Sequence, residues 1–168
     1  ILTQCFPSRL GGIESLVSNL ALGLGKKEKV IVFADRHHLF YDAIYDNQYK
    51  DQIIVRRTGG LKFFRRRKKI RELKPFIESN QVKLVIADTW KSLELSIDLL
   101  DKKNISTICL AHGNELLSNN PKKTQRIIKI FNSASSIIAN SQFTLNLAKK
   151  LIAKKDHIKF VYPGASDL

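Results

Sequence analysis

Short continuous runs of Val, Ile and Ala alternate along this chain with segments whose apolar residues recur at helical spacing. That alternation constrains the fold more than any other feature. A strand apolar on both sides must be buried on both faces, and parallel strands need a crossover to connect them, usually a helix. Strands are expected at Ile1–Phe6, Val30–Ala34, Ile53–Val55, Val82–Ala87, Thr107–Ala111, Ser136–Ala139 and Ile158–Tyr162. Between Ile13 and Leu24 apolar residues fall at 13, 16, 17, 20, 21 and 24, a helical face that Gly25 would end as a C-terminal cap. Further helices are expected at Arg65–Ser79, with Ile70, Leu73 and Ile77 on one side and a kink or shortening at Pro75. Others follow at Lys91–Leu100, at Lys122–Phe131 begun by Pro121, and from the Ser141 cap to about Ala153. Asp35–Gln52 is polar and Tyr-rich, and its pattern assigns no element. Right-handed crossovers turn this order into a Rossmann-like, doubly wound α/β fold, a mainly parallel sheet with helices on both faces.

At 168 residues, with 43% hydrophobic and 26% charged side chains, the chain is the size of one soluble domain and excludes a disordered or fibrous protein. No apolar run reaches membrane-spanning length. The chain opens on Ile1-Leu2, already strand-like, and is read as trimmed at its front. Cys5 and Cys109 each lie in an apolar run and read as reduced, buried thiols of a cytoplasmic protein. No Cys/His spacing suggests a metal site. The net charge of +14 calls for an acidic partner such as phosphate, nucleic acid or an anionic membrane.

In a doubly wound sheet ligands bind at the carboxyl ends of strands. There the first strand is followed by Gly11-Gly12, which let a ligand approach the backbone at a helix start whose free N–H groups attract anions. A plain tight turn would use the same residues. A dinucleotide fingerprint, Gly-x-Gly-x-x-Gly, fails because Ile13, Glu14 and Ser15 follow, although Asp35 is placed to hold a ribose hydroxyl. His112-Gly113-Asn114-Glu115 follows another buried strand. His112 can hydrogen-bond a sugar hydroxyl or carry a proton near neutral pH, and Glu115 can serve as a base, an acceptor for hydroxyls or a solvated carboxylate. His37, His38, Tyr41, Tyr45 and Tyr49 fit an acceptor groove or an ordinary surface loop.

Residues Lys62–Lys74 hold eight basic side chains against one acid, a net +7, half of the chain's charge. Arg65, Arg66, Arg67, Lys68 and Lys69, flanked by Phe63 and Phe64, would make a face for anionic lipid headgroups. The same cluster suits nucleic acid or simple solvation.

Taken in order, four stretches resemble the N-terminal domain of glycosyltransferase family 4, one half of the GT-B fold: Phe6-Pro7-Ser8-Arg9-Leu10-Gly11-Gly12-Ile13-Glu14, Leu110-Ala111-His112-Gly113-Asn114-Glu115, Ile138-Ala139-Asn140-Ser141-Gln142-Phe143-Thr144, and Val161-Tyr162-Pro163-Gly164-Ala165-Ser166-Asp167-Leu168. The resemblance implies a retaining transfer of a sugar from a nucleotide sugar, GDP- or UDP-linked, to a glycan or lipid-linked acceptor. Gly11 and Gly12 would face the donor's pyrophosphate and His112 the transferred sugar. Arg9, Glu115 and Ser141 would contact donor or acceptor. It further implies no metal, an acceptor-side domain over 1–162, the start of an interdomain linker at 163–168, and a donor-binding domain beyond it, so that this chain alone would be inactive. The implied location is the cytoplasm, peripheral on the inner face of the membrane. A competing expectation is a non-catalytic basic module for anionic membrane or nucleic acid, and a third is an NAD-binding enzyme.

Overall fold

A computed structural model describes residues 1–153 and 155–164. The chain divides into two compact units, Ile1–Val82 and Lys83–Leu168, and each is built on parallel strands with intervening helices.

In the first unit the chain enters alongside β1 (Ile31–Asp35). Leu2 bridges Phe33 in parallel, Thr3 N donates to Phe33 O at 3.0 Å, and Phe33 N donates to Ile1 O at 2.8 Å. The expected strand Ile1–Phe6 stops there. The Thr3 hydroxyl donates to Cys5 O at 2.7 Å and accepts from Cys5 N at 2.9 Å, and this local turn competes with the ladder. After α1 (Gly12–Gly25), β1 and α2 (Leu39–Gln48), β2 (Ile54–Thr58) pairs with β1, Ile31 opposite Ile54. Phe6, Val17, Ala21, Val30, Val32, Ala34 and Ile53 form the core between them. Gly25 is the last residue of α1 and not a left-handed cap; a Cβ there would stand 2.5 Å from Gln52 O, so its smallness lets the helix end meet the next strand's approach. α3 (Lys62–Glu78) begins three residues earlier than expected and continues through Pro75.

The second unit carries β3 (Leu84–Ala87), β4 (Ser106–Ala111), β5 (Ser136–Ala139) and β6 (Ile158–Phe160), parallel throughout and in that spatial order. The single helix expected at Lys91–Leu100 is two, α4 (Trp90–Leu93) and α5 (Ile97–Lys102). Buried Ser96 makes the break: its hydroxyl donates to Leu93 O at 3.0 Å, and Leu93 and Ile97 then both bury completely. α6 (Pro121–Ser133) starts at the expected proline, with the Asn120 carbonyl accepting from Lys123 N at 3.1 Å. α7 (Gln142–Lys149) ends short of Ala153. Pro163 and Gly164 have no regular structure, and the rest of the expected linker, 165–168, lies outside the described residues. Neither Cys5 nor Cys109 is in a disulfide; Cys109 is buried as expected, whereas Cys5 is only half-buried.

Candidate functional site

Gly11-Gly12 stands at the start of α1, where the first N–H groups of a helix have no intrahelical carbonyl. Glu14, two residues on from Gly12, folds its carboxylate back over Gly11: a Cβ on Gly11 would lie 2.3 Å from Glu14 Oε2. Arg9 neutralises that carboxylate, Nε to Oε1 at 3.0 Å, while remaining half in solvent. The turn is therefore an exposed backbone cradle with a buried acid behind it and a guanidinium beside it. Residues 9–12 are all exposed, and Leu10 is 95% exposed.

The loop is anchored from behind by two residues with no sequence motif. Asp42, on α2, accepts from Ser8 Oγ at 2.7 Å and from the N–H groups of Ser8, His37 and His38 at 3.3, 2.8 and 3.2 Å. Burial alone would raise its carboxyl, but the Ser8 hydroxyl, the His37 and Ser8 amides and the Arg57 charge outweigh it and hold the pKa below the ordinary value. Arg57, from β2, grips Asp46 at 2.7 and 3.0 Å, donates to the Pro7 carbonyl, and lies 5.3 Å over the Phe6 ring.

In the second unit, His112 follows β4. Its Nε2 lies 2.7 Å from Asp88 O, and because a carbonyl only accepts, Nε2 carries the hydrogen. In the neutral ring Nδ1 is then the acceptor. His112 N donates to Glu115 Oε1 at 2.9 Å, so one carboxylate oxygen of Glu115 holds the loop it belongs to. Gly113 has φ +97°, and a Cβ there would meet Thr144 Oγ1 at 2.9 Å. That threonine, at the start of α7, donates to Asn140 Oδ1 at 2.8 Å and accepts from Ser141 Oγ at 3.0 Å. Ser141 also accepts from Thr144 N at 3.1 Å, so its hydroxyl serves as the helix cap. Beneath the loop, burial, with Asp88 and Glu115 adding to it, pushes the Cys109 thiol well up and keeps it neutral.

The expected basic face is corrected on its inward side, where Lys69 is buried and Arg65 and Arg66 are half-buried. Lys69 is buried, its Nζ 2.6 Å from both Thr3 O and Asp35 Oδ1, because it shares the inward side of α3 with Leu73 and Ile77. Arg65 is partly committed as well, donating to Gly60 O at 2.7 Å and facing Asp35 at 3.8 Å. Asp35 is thus held by two cations, not open for a ribose. Arg67 and Lys68 are exposed beside Leu61, Phe63 and Phe64, which are also exposed, with Arg67 5.7 Å over Phe63. No helix among the described residues is long and apolar enough to cross a membrane. No cluster of three or more His, Cys, Asp or Glu suited to a metal occurs among them.

The sequence model of Glycosyltransferase Family 4 matches residues 10–167. No curated protein matches. Among solved structures, Anabaena HepE in complex with UDP superposes with TM-score 0.70 at 17% identity, over 98% of this chain and 44% of that one. HepE with UDP-glucose gives 0.68 at 16%, over 98% and 43%. The apo lipopolysaccharide outer core galactosyltransferase WaaB gives 0.62 at 14%, over 95% and 44%. At these identities the likeness is one of fold, a Rossmann-like half of the GT-B architecture, and the chain spans less than half the length of the structures it matches.

Proposed function

The chain belongs to Glycosyltransferase Family 4, and from that premise we propose that it is the acceptor-side half of a retaining enzyme that moves a sugar from a nucleotide sugar to a glycan or lipid-linked acceptor. The observation that carries this reading is His112. It sits at the carboxyl end of β4, its tautomer set by the Asp88 carbonyl and its backbone held by Glu115. A ring so held presents Nδ1 to a sugar hydroxyl, or donates from it when protonated, with little reorganisation. Gly11 and Gly12 offer amides to the donor's pyrophosphate, and Arg9 offsets the Glu14 carboxylate that would otherwise repel it. In the reaction the bond from the anomeric carbon to the phosphate oxygen breaks. The acceptor oxygen takes its place on the same face, and the nucleoside diphosphate leaves with the acceptor's proton released. The HepE complexes with UDP and UDP-glucose support a UDP-linked donor, GDP being the other base to test.

The proposal includes no metal and assigns donor binding chiefly to a second domain, so that residues 1–168 alone transfer no sugar. The test is to incubate the complete polypeptide with UDP- and GDP-hexoses and candidate acceptors and to read the product anomer by NMR. A product with the donor's anomeric configuration is the expected result. Inversion, or binding of NAD in place of either nucleotide sugar, refutes the reading.

A specific feature favours a membrane-borne acceptor. Leu61, Phe63 and Phe64 are exposed beside Arg67 and Lys68, the combination that rests apolar rings among acyl chains and cations on anionic headgroups. This patch supports the reading of a peripheral enzyme on the cytoplasmic face of the membrane.

A further inference from the structure

Among residues 7–12, the exposed portion has little packing to fix it: Arg9, Leu10, Gly11 and Gly12 all face solvent. Yet an anion site made of backbone amides works only if the amides are already aimed. What holds the loop on its strand side is a buried charge pair. Asp42 and Arg57 have side chains 3% and 6% exposed, and Asp42 Oδ1 lies 3.6 Å from Arg57 Nη1. The carboxylate takes the hydroxyl and amide of Ser8; the guanidinium takes the carbonyl of Pro7. Through His37 N and His38 N the same carboxylate ties in the segment after β1. Two loops at strand carboxyl ends are thereby fastened to one side chain.

Burying an ion pair costs desolvation that an apolar pair of similar volume avoids, so stability alone is a weak reason for one here. α2 already docks without it, through Tyr45, whose hydroxyl bonds to Ser18 Oγ and whose ring meets Phe6 edge-on at 5.5 Å. A polar network nonetheless defines one geometry: Asp42 accepts four hydrogen bonds, and Arg57 donates through Nε and Nη2 while its Nη1 contributes charge alone. We infer that Asp42 and Arg57 are positioning residues for the anion-binding turn, acting through Ser8 and Pro7 to set the direction of the Gly11 and Gly12 amides. This rests on the proposed role of that turn in holding the donor's pyrophosphate.

The experiment uses the complete polypeptide and the variants Ser8→Ala and Asp42→Asn. Ser8→Ala removes the hydroxyl's bond to Asp42 and leaves the ion pair, and a urea unfolding curve confirms that the variant is folded under the assay conditions. UDP and GDP are the calorimetric probes, and amide hydrogen exchange of residues 8, 37 and 38, whose N–H groups donate to Asp42, is followed without any nucleotide. The expected result is at least tenfold faster exchange at residue 8 for both variants and at residues 37 and 38 for Asp42→Asn, unchanged protection in β1, and nucleotide affinity reduced about fivefold by Ser8→Ala and tenfold or more by Asp42→Asn. With the nucleotide sugar, KM should rise by the same factors while kcat falls less, whereas a loss of folded enzyme would lower kcat and leave KM alone. Exchange at residue 8 equal to that of the unmodified protein overturns the inference, whatever binds. Faster exchange with unchanged nucleotide affinity overturns the link to the donor while leaving the anchoring intact. An unmodified polypeptide that binds neither UDP nor GDP overturns the donor reading itself, and with it the functional half of the inference.

Discussion

Gly113→Ala tests how the histidine loop is held. Gly113 has φ +97° and ψ −54°, a conformation that side chains other than glycine occupy at a cost of about 1–3 kcal/mol. The added methyl would stand 2.9 Å from Thr144 Oγ1, tighter than real contacts allow. Thr144 is 1% exposed and bonded to Asn140 and Ser141, so it has little room to retreat and loses one hydrogen bond, about 1 kcal/mol, if it turns. The two effects sum to about 2–4 kcal/mol. Trp90, the chain's one tryptophan, is buried in the same unit, so its fluorescence reports urea unfolding there. With a slope of about 2 kcal/mol/M the midpoint should fall by about 1–2 M. Adding Thr144→Ala to that variant should cost less than the same change in the parent, because it removes the clash with Thr144 Oγ1. A midpoint within about 0.3 M of the parent would refute the assignment of the loop's geometry to this glycine.

Three further outcomes follow from particular contacts. Lys69→Met should destabilise the first unit by about 3–5 kcal/mol in chemical unfolding, since it leaves the partly buried Asp35 without its closest cation, while exposed Lys68→Met changes it by less than about 0.5 kcal/mol. Because the Asp42 pKa lies below its ordinary value of 3.8, its contribution is fully present above that value and disappears as pH falls through the folded pKa; stability measured between pH 6 and 3 should fall less steeply in Asp42→Asn than in the parent. Replacing exposed Arg67 and Lys68 by Glu should abolish co-sedimentation with anionic phosphatidylserine vesicles, and equal binding would refute the membrane face.

The strands of β3 to β6 were legible because continuous Val/Ile runs leave a buried parallel strand few alternatives, and β5 falls at Ser136–Ala139 as expected. α2 was not legible. Its inward positions are Asp42, Tyr45, Asp46 and Tyr49, a helical spacing written in polar and aromatic residues, while Leu39, Phe40 and Ile44 point to solvent, so a search for apolar periodicity finds nothing. Asp42 and Arg57 carry no motif because their partners, Ser8, Asp46, each other and backbone groups, come from separate segments. Lys69 hid within a run of like charges, although its spacing of four from Leu73 and eight from Ile77 marks the inward face of α3. Gly11, Gly12, His112 and Ser141 stood out because glycine turns, a loop histidine after a buried strand and a helix cap are local signals. Only the structure showed that Glu115 accepts a hydrogen bond from the His112 amide and so holds its own loop.

The central claim concerns His112, and the most direct measurement is sugar transfer by the complete polypeptide carrying His112→Ala, with nucleotide affinity determined in parallel. The expected result is a fall in kcat of about a hundredfold or more, in the range of a lost positioned acid–base or hydrogen-bonding group, with UDP or GDP bound as tightly as before. Transfer at the parent rate would contradict the account.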